Sequence, residues 1–178
     1  MAKPEKIVVL DFGGQYNQLI ARRVRESGVY CEILNYAVPI EQWRDESLRG
    51  IILTGGPNSV YAEGAPRMKE EILHLGVPVL GICYGMQLIN DLCGGRVESA
   101  EVREYGHTML CVTDSALFKG VQPETAVFMN HGDRVSVLPK GFTADASTAN
   151  CPIAAFSDVA RGLYGVQFHP EVRHSVEG

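Results

Sequence analysis

The run Val77-Pro78-Val79-Leu80-Gly81-Ile82-Cys83-Tyr84-Gly85-Met86-Gln87 limits what this chain can fold into more than any other stretch. Val79 to Ile82 is short, apolar and bounded by Gly76 and Pro78, which reads as a buried strand rather than a helix. From Tyr84 onward Met86, Leu88, Ile89 and Leu92 recur at helical spacing until Gly94-Gly95 stops them. Cys83 therefore sits on a strand-to-helix bend with Gly81 and Gly85 two residues away on either side. This is the cysteine form of the G-x-S-x-G nucleophile turn. The flanking glycines remove Cβ atoms that a tight, strained bend would drive into the backbone. The helix that follows points free N–H groups at the sulfur, and such a setting with a histidine partner can lower a cysteine pKa from about 8.5 to roughly 3.5–7.5. A small buried hydrophobe is the other reading of Cys83. The bend alone leaves both open.

The rest of the first half alternates in the same way. Ile7-Val8-Val9-Leu10 is a continuous apolar run, as expected of a parallel strand covered on both faces. It ends in the turn Asp11-Phe12-Gly13-Gly14. A helix follows, with Tyr16, Leu19, Ile20 and Val24 on one face and Gly28 at its end. Cys31–Leu34 and Gly50–Leu53 read as strands, Met68–Leu75 as a helix. This order predicts an α/β fold with a doubly wound, mostly parallel sheet. In such sheets the site lies beyond the carboxyl ends of the strands, where Asp11, Gly55-Gly56 and Cys83 all fall. After Gly95 there is no helical pattern. Short strand-like runs separated by turn residues, from Val97 through Ala126–Met129 to Leu163–Phe168, predict an antiparallel extension of the sheet. With 178 residues, no repeat and no linker-like tract, a single domain spanning 1–178 is expected.

Composition excludes several function classes. A net charge of −5 offers no basic excess for phosphates, so nucleic acid is not an expected partner. No apolar stretch approaches the length of a membrane span, and the N-terminal Met-Ala-Lys-Pro-Glu-Lys does not read as a signal peptide. Five widely spaced cysteines, an odd number, fit a reducing cytoplasm better than a disulfide framework. No metal site is expected: His169-Pro170-Glu171 has the H-x-E shape of zinc deaminases, but no two cysteines are spaced as C-x-x-C. Asp11-Phe12-Gly13-Gly14-Gln15 could be a phosphate loop or a tight turn, and it lacks the Walker lysine.

Two segments of the second half bear on Cys83. In Gln167-Phe168-His169-Pro170-Glu171, the histidine and the carboxylate are two apart at the end of a strand-like run, so extended backbone would turn them to one side. A carboxylate beside an imidazole fixes its tautomer, which is what a cysteine nucleophile needs from its base. A surface histidine in a turn is the alternative. Met129-Asn130-His131-Gly132-Asp133 reads as polar residues at a strand end, a turn that could also line a pocket.

Gly81-Ile82-Cys83-Tyr84-Gly85, Thr54-Gly55-Gly56-Pro57 and Gln167-Phe168-His169-Pro170-Glu171 together resemble the class I (triad-type) glutamine amidotransferase family, whose fold is flavodoxin-like. Asp11–Tyr16, Asn58-Ser59-Val60-Tyr61, Arg103-Glu104-Tyr105-Gly106 and His131-Gly132-Asp133 resemble its GMP synthase branch. The resemblance covers nearly the whole chain. It implies that glutamine is hydrolysed to glutamate and ammonia through a thioester on Cys83, with His169 as base and Glu171 as its orienter. It implies an oxyanion hole from the N–H groups of Gly56 and Tyr84. It places the substrate against Gly55, Gln87, Asn130, His131 and Gly132, although the family more often has Ser or Thr at the position of Asn130. No cofactor is implied for this step. ATP and Mg2+ belong to a synthetase (ATP-pyrophosphatase) partner that aminates XMP, and its Ser-Gly-Gly-Val-Asp-Ser loop is absent from these residues. The chain thus reads as a piece of a fused synthase or as a separate subunit. Two alternatives stand beside this: the glutaminase of another amidotransferase pathway, and a non-catalytic flavodoxin-like regulatory module.

Overall fold

The structure, a computed structural model, describes residues 4–178. The first three residues of the N-terminal stretch read above lie outside that range. The first half builds β1 (Lys6–Asp11), α1 (Asn17–Glu26), β2 (Tyr30–Asn35), β3 (Leu48–Leu53), β4 (Val79–Ile82) and α2 (Tyr84–Leu92). The second half is all strand: β5 (Arg96–Val112), β6 (Glu124–Val137), β7 (Thr143–Ser147), β8 (Ala155–Asp158) and β9 (Leu163–Val166). All join one nine-stranded sheet in the order β2-β1-β3-β4-β9-β8-β7-β5-β6. From β2 to β9 the pairs are parallel, and from β9 to β6 antiparallel. This is the mixed α/β, flavodoxin-like fold that the alternating first half predicts.

Strand periodicity sends alternate residues into two cores. Val8 and Leu10 face the layer that holds Met86, Leu88 and Ile89 of α2, while Val9 faces Ile20 and Ala21 of α1. Each fully buried Leu, Ile or Phe side chain stabilises the fold by about 1.5–3 kcal/mol. The two layers hold the sheet from both sides and leave the carboxyl ends of β1, β3 and β4 converging at one edge.

Three expectations need correction. Met68–Leu75 is not an α-helix; only a 3-10 segment, Glu70–His74, forms. Lys69 is extended, and Gly76 takes a φ of +76°, so too few residues remain to repay helix nucleation. The separate short runs between Val97 and Val137 are instead two long strands, β5 and β6, paired as a hairpin. An antiparallel ribbon with a solvated face tolerates the polar residues that look like turns in the sequence. β9, expected within an antiparallel region, pairs parallel with β4 on one side and antiparallel with β8 on the other. β9 thus returns to the middle of the sheet and carries the C-terminal residues to the end of β4.

Candidate active site

Cys83 is the sole non-glycine residue with positive φ among the described residues, at φ 52° and ψ −107°. Such a conformation costs on the order of 1–3 kcal/mol and persists only where surroundings over-determine it. The surroundings are visible. Its N–H donates to the Val166 carbonyl at 2.8 Å, and that of Gly85 to the Thr54 carbonyl at 3.1 Å. A Cβ on Gly81 would stand 2.5 Å from the Gly85 carbonyl oxygen, and one on Gly85 would stand 2.7 Å from the Leu53 Cβ. The glycines let the bend close over β3 and β4 at van der Waals distance.

The turn after β3 forms the floor beside the sulfur. A Cβ on Gly55 would lie 3.3 Å from the His169 ring and 3.6 Å from the Cys83 Cβ, so the histidine and the cysteine converge over this glycine. Gly56 is pressed against the Phe12 carbonyl, where a Cβ would stand at 2.6 Å. The Cys83 sulfur also approaches the Asn130 carbonyl, at 3.8 Å.

His169 arrives on the segment that follows β9, the direct neighbour of β4. Its Nδ1 lies 2.7 Å from Glu171 Oε1. Cys83, His169 and Glu171 are 8%, 5% and 3% exposed. The histidine and the glutamate do not belong to a strand, since β9 ends at Val166; they meet through a turn, not through strand alternation. That turn is pinned at several points. The His169 N–H donates to the Phe128 carbonyl of β6, the Ser175 hydroxyl donates to the His169 carbonyl, and Arg23 of α1 donates to the Glu171 carbonyl. The imidazole packs edge-on against Tyr16, with ring centres 5.2 Å apart. Burial pulls the His169 pKa down, but hydrogen bonds to Cys83 and Glu171 and the charges of both outweigh it and raise it to about 10. The imidazole is therefore a stable cation in the presence of the sulfur and the carboxylate.

These residues line one cavity of about 420 Å³ that also takes in Gly56, Gln87, Arg103, Asn130, Gly132 and the turn after β1. The structure brings together all of the side chains expected to be catalytic, but it changes the expected substrate-contact set. Asn130–Asp133 lies inside β6, not at a strand end. His131 is committed to the protein: its Nε2 lies 2.9 Å from Glu104 Oε2 and its Nδ1 2.8 Å from the Asp133 carbonyl. The Gln87 amide donates to Gln167 Oε1 at 3.0 Å and to the Asp133 carbonyl at 3.1 Å. Both side chains therefore shape the wall with these groups. The Tyr84 side chain is buried and donates to the Pro66 carbonyl, so only its backbone can face the cavity. The Asp11 turn resolves as a tight turn: its carboxylate accepts from the Gly13 N–H at 2.6 Å and from Asn17.

Sequence reasoning missed Tyr16 as a packing partner of His169. It also missed Asp133, which accepts from Ser59 and Tyr61 and so ties β6 to the turn after β3. No periodicity or spacing signals either contact, because each joins segments remote in sequence. Among the described residues one trio, Glu104, His131 and Cys151, places potential ligand atoms within 4.8 Å of one another. A ligating cysteine must lose its proton. Burial, and next the Glu104 charge, push the Cys151 thiol up to about 12. Thr148 donates to the other Glu104 oxygen at 2.7 Å, and the Cys151 thiol donates to the Ile153 carbonyl at 3.4 Å. The trio is thus a satisfied hydrogen-bond network.

The sequence model of the glutamine amidotransferase class-I family matches residues 8–178. GMP synthase [glutamine-hydrolyzing] of Caldanaerobacter subterraneus subsp. tengcongensis is 53% identical over 99% of this chain and 35% of its own length. That of Heliobacterium modesticaldum is 54% identical over 100% of this chain, again 35% of its own length. The chain thus spans about a third of the length of these curated relatives. Among solved structures, a candidate GMP synthase subunit protein from Thermoplasma acidophilum superposes with a TM-score of 0.83 at 33% identity, covering 99% of this chain and 89% of that one. A glutamine amidotransferase from Thermotoga maritima shares the fold, with a TM-score of 0.74 at 22% identity over 96% of this chain and 78% of that one. With its strained cysteine facing a buried His–Glu pair and this match over nearly its whole length, the chain belongs to the glutamine amidotransferase class-I family.

Proposed function

We propose that this chain hydrolyses glutamine to glutamate and ammonia through a thioester on Cys83, and that the ammonia serves ATP-dependent amination of XMP to GMP by a synthetase part. One observation carries the reading: Cys83, held in a strained bend, converges with the His169–Glu171 pair over Gly55. In the first step the Cys83 sulfur, its proton passed to His169, attacks the side-chain amide carbon of glutamine. The carbonyl π pair moves onto oxygen, and the backbone N–H groups of Gly56 and Tyr84 meet that charge. Preset donors of this kind are worth about 2.7–4 kcal/mol each. The Tyr84 N–H suits the task, because those of Cys83 and Gly85 on either side are already spent.

Collapse of the intermediate breaks the C–N bond, and the His169 imidazolium gives its proton to the departing nitrogen, releasing ammonia. Neutral His169 then takes a proton from water, whose oxygen attacks the thioester. Return of that proton to sulfur frees the enzyme and glutamate. Glu171 holds the imidazole in place throughout. Gly55 gives room for the amide. The backbone along Asn130, His131 and Gly132, with the Gln87 side chain behind it, forms the wall for the amino-acid end. No cofactor takes part in this step; ATP and Mg2+ act in the synthetase part. Five unpaired cysteines fit work in a reducing cytoplasm.

The test is Cys83→Ala in the full synthase. Glutamine-dependent GMP formation should vanish while formation from added ammonium salt persists, and equal loss of both would overturn the reading. If neither activity depends on Cys83, a non-catalytic module is favoured; if another acceptor than XMP stimulates glutamine hydrolysis, a different pathway is.

A further inference from the structure

We infer that Arg103 anchors the α-carboxylate of glutamine and thereby selects a free amino acid as substrate. This rests on the reading of the cavity as a glutaminase site. Among the described residues Arg103 is the only arginine or lysine that lines it. It is exposed, and its guanidinium forms no side-chain hydrogen bond or salt bridge among those residues, its charge reaching only the Tyr61 hydroxyl. Its placement is built into the sheet. In the β5–β6 hairpin Ser99 pairs with Asp133 and Glu104 with His131, so residues 100–103 face a single residue, Gly132. Bulges of this kind re-aim side chains beside sites. Here the bulge lays the Arg103 side chain across Gly132: a Cβ on that glycine would lie 3.5 Å from Nε and 3.8 Å from Cζ.

The spacing suits the substrate. The Cys83 sulfur lies against the Asn130 carbonyl, and Gly132 is two residues farther along the same strand, roughly 6.5 Å away. In extended glutamine the amide carbon and the α-carboxylate carbon are four bonds apart, roughly 5 Å. An amide at the sulfur therefore brings the carboxylate under the guanidinium, whose planar fork matches it bidentately. With His131 and the Gln87 amide donors engaged and His169 held between Glu171 and Cys83, Arg103 is the cation among the described lining residues left for that charge.

The experiment compares two electrophiles on Cys83 in the full chain, read by mass spectrometry of the Cys83 peptide. One is 6-diazo-5-oxo-L-norleucine, which carries the amino-acid end; the other is iodoacetamide, which does not. Arg103→Met should slow the first by roughly 10- to 100-fold, the loss expected for a charge-assisted pair, and leave the second unchanged. Arg103→Lys should recover part of the loss. In turnover, kcat/KM for L-glutamine should fall while that for L-glutamine α-amide, which lacks the carboxylate, stays level. Equal slowing of both electrophiles by Arg103→Met would make the residue merely structural, and no slowing of either would remove it from the site; each overturns the inference while the glutaminase reading stands. Failure of the diazo-ketone to label Cys83 in the unsubstituted chain overturns both.

Discussion

Nδ1 of His169 and Oε1 of Glu171 are 2.7 Å apart, in a turn that has no regular secondary structure of its own. The pair is buried, and its geometry comes from what grips the turn: β6 through Phe128, α1 through Arg23, and the C-terminal segment through Ser175. Orientation of the imidazole is thus a property of the whole domain.

Glu171→Gln keeps the shape but removes the charge and allows the amide to present its NH2 to Nδ1. The imidazole then loses its preferred tautomer. Glutamine hydrolysis should fall by up to about 10⁴-fold, the loss that amidating the orienting carboxylate causes in a Ser-His-Asp triad. Steady-state glutamate release measures it; an effect below about threefold would count against a triad.

The pH behaviour of His169 follows from its partners. Its folded pKa, about 10, lies above the ordinary 6.5. The stability this proton brings is therefore complete below about 6.5 and disappears as the pH rises through about 10. Nuclear magnetic resonance of the labelled ring should show a cation at neutral pH. Cys83→Ala and Glu171→Gln should each move the titration downward. A ring that titrates near 6.5 in the unsubstituted protein would refute the arrangement.

Glycines separate into two kinds here. Gly81→Ala would force a Cβ to 2.5 Å from the Gly85 carbonyl and the Met86 nitrogen, both backbone. It should cost about 1–3 kcal/mol or more and take glutaminase activity with it. Gly94→Ala meets no atom within 4 Å and bears only its positive φ of 91°, a penalty of about 1–2 kcal/mol with activity intact. Denaturant midpoints and turnover of the two variants, side by side, give the comparison.

Much of this architecture is written locally. The Ile7–Leu10 run, the helical spacing after Tyr84 and the two glycines around Cys83 each act through near neighbours, so they are legible in one sequence. The long hairpin is not, because its polar residues depend on which face meets solvent. The parallel placement of β9 is not, because a four-residue strand has the same pattern beside either neighbour. The commitment of His131 to Glu104 follows from their register across β5 and β6, and Arg103 enters the cavity through a bulge in that same register. Such facts exist only once strands are paired.

The position of β9 also orders events in time. The strand that leads into Cys83, β4, finds its neighbour β9 only some eighty residues later, and His169 follows β9 directly. During synthesis the Cys83 bend can emerge, but it lacks the Val166 carbonyl that receives its N–H and the His169 ring that converges with it over Gly55. Pairings so distant in sequence form late. On the proposed reading, a nascent chain therefore gains its ammonia-releasing site only when the domain is whole.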